Sequence, residues 1–182
     1  MIQRRQNNRV VRLRARSGET VQTSAEIEQE LVDFYKDLLA EPIPDRNMAI
    51  PCITRAIPAL ISQDQNDHLM RPTTLQEVGI VVKEMKTRTA LGPDGFTIDF
   101  FQACWEIIKH DVWQVVESSY KSGSILPALN ATFITLIPKN NGPATLANFH
   151  LISLCNVIYK IITKVIANRL KPLLPSLISP EQ

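Results

Sequence analysis

The sequence predicts an α+β fold that is predominantly helical and carries one antiparallel β-hairpin or small sheet. Apolar residues recur at helical spacing through much of the first 125 positions. From Asn130 the period changes, and β-branched residues dominate two short runs separated by a turn-rich loop. The 182 residues are 45% hydrophobic, which is enough for a globular core.

The N-terminal part predicts a basic strand or flexible arm followed by a helix. Residues 1–16 carry six arginines, and Gly18 breaks the segment. Thr23 and Glu26 have the spacing of a capping box, in which each side chain bonds the other residue's backbone N–H. The helix that follows should stop before Pro42, because proline cannot continue it.

The middle of the chain predicts a long connection and then three helices. Residues 41–72 are rich in proline and weakly patterned, so we expect a linker with a short turn of helix. Thr74 and Glu77 form a second capping-box pattern at the start of one helix. Ile98, Phe101, Trp105 and Ile108 define the next helix, and residues 112–121 are predicted as a further, separate one.

The last third predicts a hairpin and a long helix. The strands are "ATFITLIP" and "FHLISL", joined by the loop "NNGPATLAN". Asn156 is the expected cap of the helix that follows. Its apolar face is predicted to be buried, and its other face is predicted to expose Lys160, Lys164, Asn168 and Arg169.

Charge is distributed unevenly along the chain. Residues 17–117 hold 8 basic and 17 acidic side chains, whereas residues 118–180 hold six basic ones and no acid. Basic ends around an acidic middle are typical of a chain that meets a polyanion at two places. A solvated arm with ordinary surface lysines would give the same distribution, so charge alone leaves both interpretations open.

Other features narrow the class of protein. There is no apolar run long enough for a transmembrane helix, so we expect no membrane partner. The three cysteines lie far apart and are predicted to be free thiols in a reducing compartment.

Two features could carry chemistry. Lys139 ends the first strand beside a glycine-containing loop, where a fixed ammonium group could bind a phosphate. His150, at the start of the second strand, is the expected second cation, although histidine is charged only part of the time near neutral pH. An ordinary surface lysine after Pro138 is the alternative.

The second feature is the run Gly92, Pro93, Asp94 and Gly95, which predicts a tight turn. It is either a connection between helices or a backbone contact to nucleic acid.

Carboxylates that could hold catalytic metal ions are missing from the second half of the chain, since no Asp or Glu lies between Ser118 and Pro180. The three histidines are scattered, and no hydrolase motif is present. We therefore expect no metal site and no cofactor in this chain, and no self-contained metal-dependent catalyst.

With these residues in view, the chain resembles the front of the reverse transcriptase of plant LINE-type (non-LTR) retrotransposons. The family has a GPDGF turn, then "FFQ-CW", a "TLIPK" strand, "F-R-P-I-S-L-C-N-x-x-Y-K" and a helix ending in "ANRL". Residues 83–182 match this order almost throughout. Residues 5–39, with their basic start and "FYKDLL", resemble the segment between the family's endonuclease and polymerase.

The resemblance implies a role for each matching residue. Lys139 and position 150 correspond to the lysine and arginine that contact the phosphates of the incoming nucleotide in the polymerase fingers. Residues 92–95 correspond to a motif along the RNA template, and the basic face with Lys160, Lys164 and Arg169 to the fingers helix near the template. The chain departs from the family at "FHLISL", where His150 replaces arginine and Leu151 replaces proline.

The resemblance also implies an organisation and a function. Residues 1–72 are predicted as the endonuclease-to-polymerase connection, and residues 73–182 as an incomplete extension-and-fingers region. The aspartates that bind two Mg²⁺ ions in the family's palm would lie beyond Gln182, so we expect no polymerase activity from this chain alone. The implied partners are an RNA template, a DNA primer and a dNTP, at a nuclear or cytoplasmic location. Alternatives are a non-catalytic nucleic-acid-binding remnant and a non-functional product of a decayed element.

Overall fold

The computed structural model describes residues 10, 12–40, 50–51, 54–55, 58–140 and 142–178. The chain divides into two compact units. The first combines Met1–Ala56 with Ile134–Ile152, and the second combines Ile57–Phe133 with Ser153–Gln182. The α+β class, with helices predominating, is confirmed. The sequence division at residue 72 stays a prediction.

The first unit begins with a ribbon of two short antiparallel strands, β1 (Leu13–Arg14) and β2 (Thr20–Val21). The connection between them bends at Gly18, whose φ of +92° lies in the region that favours glycine. The predicted basic strand is therefore present at its C-terminal end, while residues 1–9 and 11 of the predicted arm lie outside the described residues.

Helix α1 (Ser24–Leu39) begins as the capping-box pattern predicts. The Thr23 hydroxyl accepts a hydrogen bond from the Glu26 N–H at 3.3 Å, and the Glu26 carboxylate accepts one from the Thr23 N–H at 3.1 Å. These bonds satisfy two of the backbone donors that a helix N-terminus leaves without an intrahelical partner.

A second two-stranded antiparallel sheet is the predicted hairpin, formed by β3 (Thr132–Pro138) and β4 (Phe149–Cys155). A single 3₁₀ turn, Leu146–Asn148, closes the loop before β4. In the first unit, a small apolar core of buried and half-buried side chains joins ribbon, helix α1 and hairpin: Val10, Leu13, Val21, Leu31, Phe34, Leu136, Leu146 and Phe149.

The second unit is helical in its described part. Its helices are α2 (Gln63–Met70), α3 (Leu75–Glu84), α4 (Ile98–Ala103), α5 (Trp105–Ser122), α6 (Pro127–Asn130), α7 (Val157–Leu170) and α8 (Leu174–Leu177). Helices α3, α5 and α7 pack on one another and supply most of the core. Its buried side chains are Val78, Val81, Val82, Ile98, Phe101, Val112, Val116, Val157, Ile161, Ile162 and Val165.

The helix boundary predicted between Ile108 and residue 112 is wrong. The break falls at Cys104, whose φ and ψ of −96° and 9° are not helical, and α5 then runs without interruption. No glycine or proline lies between Ile108 and Val112 to stop a helix, so the backbone hydrogen bonding continues through this stretch.

The capping box predicted at the start of α3 forms only in part. The Thr74 hydroxyl accepts from the Glu77 N–H at 3.1 Å. The Glu77 carboxylate is instead taken by Arg169 of α7, with Oε1 at 2.7 Å from Nε and Oε2 at 2.7 Å from Nη2. A two-point ion pair to a guanidinium is a stronger interaction than a bond to one neutral N–H, which explains the exchange of partners.

The prediction that Arg169 lies on the exposed face of its helix is also wrong, because the residue is only 4% exposed. Besides Glu77, its guanidinium donates to the carbonyl oxygens of Leu69, Arg71 and Pro72 at 2.6–3.2 Å. The group also lies 4.8 Å from the centre of the Tyr120 ring. Arg169 is therefore an internal anchor.

The segment that leads into α3, residues 69–74 (the entry segment), is held by α5 as well. The Trp113 indole N–H donates to the Thr73 carbonyl at 3.0 Å, and the Tyr120 hydroxyl donates to the Leu69 carbonyl. The Glu117 carboxylate, in a residue only 7% exposed, accepts from both the N–H and the hydroxyl of Thr73. These bonds satisfy backbone N–H and C=O groups of the entry segment that would otherwise need water as a hydrogen-bond partner.

The cysteines, the short helix within residues 41–72 and the membrane-spanning potential of the helices were also predicted from the sequence. Cys104 and Cys155 are free and half-buried, while Cys52 lies outside the described residues. The short helix expected within residues 41–72 is α2. Among the helices of the described ranges, none combines the length and the apolar character needed to cross a bilayer.

We predict that Arg169→Met lowers the free energy of unfolding of the second unit by about 3–5 kcal/mol. The substitution leaves the half-buried Glu77 carboxylate with only the longer contact to Arg71, at 3.9 Å, and removes three bonds to the entry segment. Urea titration followed by the fluorescence of Trp105 and Trp113, both in this unit, measures the change.

Lys164→Met is the matched control, because Lys164 lies on the exposed face of the same helix, and its effect should stay within about 0.5 kcal/mol. The double variant Arg169→Met with Glu77→Gln should recover part of the loss, since it also removes the carboxylate charge that has lost its two-point partner. Equal stability of Arg169→Met and wild type would contradict the anchor role.

We predict that the second unit loses stability as the pH falls below about 4.5. The Arg169 guanidinium lowers the pKa of Glu77, and the bond from the Thr73 hydroxyl lowers the pKa of Glu117, from the ordinary value of 4.5. A carboxylate with a lowered folded-state pKa contributes stability above its unfolded value and loses it as pH falls through the folded one.

The melting temperature followed by tryptophan fluorescence should therefore be nearly constant between pH 7 and pH 5 and decrease below. Glu117→Gln should reduce this acid-dependent decrease, whereas Glu84→Gln, on the exposed end of α3, should leave it unchanged. Superimposable pH profiles for wild type and Glu117→Gln would refute the assignment.

Candidate nucleotide and nucleic-acid interface

In the first unit, Lys139 follows the last residue of β3 and is exposed. Its backbone N–H donates to the Asn148 carbonyl at 2.8 Å, so the pairing of the hairpin extends one residue past the strand. Its Nζ donates to the Ala147 carbonyl at 2.9 Å. An ammonium group carries three N–H donors, so this bond holds the charge in place and leaves two donors for a ligand.

The carbonyl that holds Lys139 is oriented by Asn148. The Asn148 side-chain oxygen accepts from the backbone N–H of Ala144 and from both the N–H and the hydroxyl of Thr145, at 3.0–3.3 Å. These bonds fold the end of the loop into the 3₁₀ turn. Sequence reasoning missed Asn148, although a threonine followed three residues later by a side chain that can bond backward is a turn signal.

His150 lies on the hairpin face opposite the first unit's core. Its neighbour Phe149 is buried in that core, and successive side chains of a strand point to opposite faces, so the His150 side chain is on the outer face. The Lys139 N–H bonds the Asn148 carbonyl and His150 follows two residues after Asn148, so Lys139 and His150 lie at the same end of the hairpin. Both are exposed, and their phosphate-binding role stays a prediction.

In the second unit, residues 92–95 form the predicted tight turn. The Gly95 N–H donates to the Gly92 carbonyl at 3.1 Å, and the Asp94 carboxylate accepts from the Phe96 N–H at 3.1 Å. Gly95 has a φ of +75°, which a non-glycine residue would adopt only with strain.

The turn is packed directly against Asn156. The Asn156 side-chain oxygen accepts from the Asp94 N–H at 3.1 Å. A Cβ atom added at Gly92 would lie 2.4–2.6 Å from three atoms of Asn156, so only glycine allows this approach. Pro93 is half-buried, whereas Asp94 and Gly95 are exposed.

Asn156 occupies the predicted position just before α7, but its side chain does not cap that helix. Its amide nitrogen donates to the carbonyls of Ala128 and Leu129 in α6, at 3.1 and 3.3 Å. The residue is 1% exposed, and one side chain thereby links the turn, α6 and the start of α7. Sequence reasoning treated it as a cap and missed this role.

Lys160 and Lys164 lie one turn apart on the same face of α7. The Lys160 Nζ is 3.4 Å from the carbonyl of Ala90, two residues before the turn, so Lys160 is next to the predicted template motif. Lys164 is exposed. The structure thus brings residues 92–95 and Lys160 together, while Arg169 is internal and takes no part in this surface.

Metal-ligating side chains are not grouped in the described ranges. No set of three or more His, Cys, Asp or Glu side chains there is arranged to hold a metal ion. The residues present therefore do not fit the Mg²⁺ site that the family resemblance implies for a complete polymerase, and we assign metal binding to none of them.

Comparison with known proteins gives one informative similarity. No protein-family model matches the chain. The chain aligns over its whole length with the Transposon TX1 uncharacterized 149 kDa protein of Xenopus laevis, with 28% identity over 183 residues. It spans 14% of the length of that relative. The similarity supports a transposon-derived protein and goes no further in specifying its activity.

We predict that Gly92→Ala destabilises the second unit by about 1–3 kcal/mol, because the added methyl group overlaps Asn156 and must push the turn away. Gly95→Asn is the control: no atom lies within 4 Å of its added Cβ, and asparagine tolerates a positive φ. Urea titration of both variants measures the difference. If Gly95→Asn lowered the free energy of unfolding as much as Gly92→Ala does, close packing on Asn156 would not explain the destabilisation.

Proposed function

We propose that this chain is the extension-and-fingers region of a reverse transcriptase from a plant-type non-LTR retrotransposon. In this role it binds the incoming nucleotide and the RNA template, and other parts of the polymerase supply the metal ions. The observation that carries the proposal is the hairpin with an exposed, anchored lysine at its end, in a chain similar over its whole length to a transposon protein.

Lys139 acts as a ligand for a phosphate group of the nucleotide. Its Nζ is already held by the Ala147 carbonyl, so little side-chain freedom remains to be lost when a phosphate binds. His150 takes the position of the family's arginine. A histidine is charged for only part of the time near neutral pH and lacks the two-point geometry of a guanidinium, so it is the weaker phosphate ligand.

The template surface comprises residues 92–95 with Lys160 and Lys164. Asp94 and Gly95 are exposed, and the Lys160 ammonium group, which can contact a phosphate, lies against the same stretch of chain. Phosphate contacts of this kind position a strand without reading its sequence. Arg169, which the sequence also suggested for this surface, is not part of it, because its guanidinium donors are bonded inside the protein.

A second candidate function is non-catalytic binding of nucleic acid by the same basic surfaces. Lys139 and Lys164 are exposed and form no ion pair within the described residues, which favours this candidate. This candidate and the first one share the phosphate contacts. They differ in whether the nucleoside triphosphate is a ligand.

We predict that Lys139→Ala weakens binding of a nucleoside triphosphate such as dGTP about tenfold, because one charge-assisted contact to a phosphate is lost. His150→Arg should strengthen it several-fold by adding a permanent charge. Amide chemical shifts of the hairpin, followed during titration with dGTP, report the affinity.

Lys36→Ala, an exposed lysine on α1 in the same unit, is the charge-matched control and should bind as wild type does. No dNTP should be incorporated into a primed template by the purified chain. Equal dGTP affinity of Lys139→Ala and wild type would reject the nucleotide site and leave only non-catalytic binding.

A further inference from the structure

The β1–β2 ribbon of the first unit has one face in the core and one face in solvent. Leu13 is 1% exposed and packs with Leu146 and Phe149. Because side chains alternate along a strand, Arg12 and Arg14 on either side of Leu13 point to the opposite face, and both are exposed. The burial of Leu13 therefore dictates the exposure of two arginines.

A pocket of about 320 Å³ lies against the ribbon, lined by Arg12, Leu13, Arg14, Gly18, Thr20 and Ala144. Thr20 lies directly opposite Arg14 in the ribbon, so its side chain is on the arginine face. The pocket thus combines two guanidinium groups with a hydroxyl group. Such a set of donors suits the oxygens of a phosphate.

The pocket is preformed. The Arg14 N–H donates to the Ala144 carbonyl at 2.7 Å, which fastens the ribbon to the end of the hairpin loop. The Arg14 Nε donates to the Gly18 carbonyl at 3.2 Å, which orients the guanidinium and leaves its terminal nitrogens available. The positive φ of Gly18 makes this carbonyl accessible to Arg14.

The charges of the pocket are not neutralised within the described residues. Arg16, in the turn that follows β1, is paired with Glu30 and Asp37 of α1. No such ion pair involves Arg12 or Arg14 in the part of the chain that the structure describes. The acid next to Thr20, Glu19, forms no ion pair with either arginine among these residues.

We propose that Arg12, Arg14 and Thr20 form a separate binding site for the phosphate groups of a single-stranded RNA. Two guanidinium groups two residues apart on an open face suit successive phosphates of a strand better than one small anion. The choice of RNA rests on the proposed function, whereas the anion site itself rests on the geometry of the ribbon. Nothing in the nucleotide or template surfaces described above includes these residues.

The first test compares RNA binding by the full chain and by Arg12→Gln with Arg14→Gln, using fluorescence anisotropy of a labelled single-stranded RNA at several salt concentrations. Loss of two phosphate contacts should weaken binding at least tenfold at low salt. It should also reduce the slope of log affinity against log salt by roughly 1.4, at about 0.7 per phosphate on a single strand. Far-UV circular dichroism verifies that the variant folds.

Arg16→Gln is the matched control, because it removes the same charge two residues along the chain from Arg14, at a position already paired with two acids. It should change the affinity by no more than about twofold. It should change the slope by no more than about 0.3, which is less than half of the slope expected for one phosphate contact. If Arg16→Gln lowers both as much as the double variant does, the effect is general charge and the site is refuted. Thr20→Val should weaken binding several-fold without changing the slope.

Three further outcomes separate this site from its neighbours and from other ligands. Loss of RNA binding in Lys160→Gln with Lys164→Gln, but not in the Arg12 and Arg14 variant, overturns the inference and leaves the proposed function standing. The reverse result supports the ribbon site and counts against the proposed template surface. Equal competition by inorganic phosphate or by a poly-glutamate peptide at matched charge overturns the assignment to a nucleic-acid strand.

Discussion

The buried guanidinium of Arg169 connects four parts of the second unit. It pairs with Glu77 near the start of α3, donates to three carbonyls of the entry segment, and lies against Tyr120 of α5 while belonging to α7. A charge inside a protein is tolerated only where its donors are satisfied, so these partners must assemble together. The same requirement aligns α3, α5 and α7 around the apolar core.

The proposed template surface depends on a second internal polar residue. Asn156 uses its oxygen for the turn at residues 92–95 and its nitrogen for α6, while the backbone at the same position starts α7. Because α7 also carries Lys160 and Lys164, the turn and these lysines are held on one rigid framework. The predicted tight turn is therefore packed against the protein on one side and exposes Asp94 and Gly95 on the other.

In the first unit, one small apolar cluster lies beneath two basic surfaces, one on the ribbon and one on the hairpin. Leu13 and Phe149 are buried in the same cluster, and each dictates by strand alternation which neighbours face solvent. On the ribbon these neighbours are Arg12 and Arg14, and on the hairpin the neighbour is His150. Basic side chains are thus presented by rigid strands, which lowers the entropy lost when a phosphate binds.

Sequence alone determined the features that arise from interactions within a few residues. The capping box of α1, the tight turn at residues 92–95 and the hairpin with Lys139 at its end all follow from local chemistry and side-chain periodicity. Tertiary structure decided the partner of each long polar side chain. Arg169 looked like a surface arginine because its partner Glu77 lies 92 residues away, and Glu77 looked like part of a capping box for the same reason. Periodicity specifies which way a side chain points, whereas only the packing of the helices determines whether a carboxylate from another helix lies within bonding distance of it.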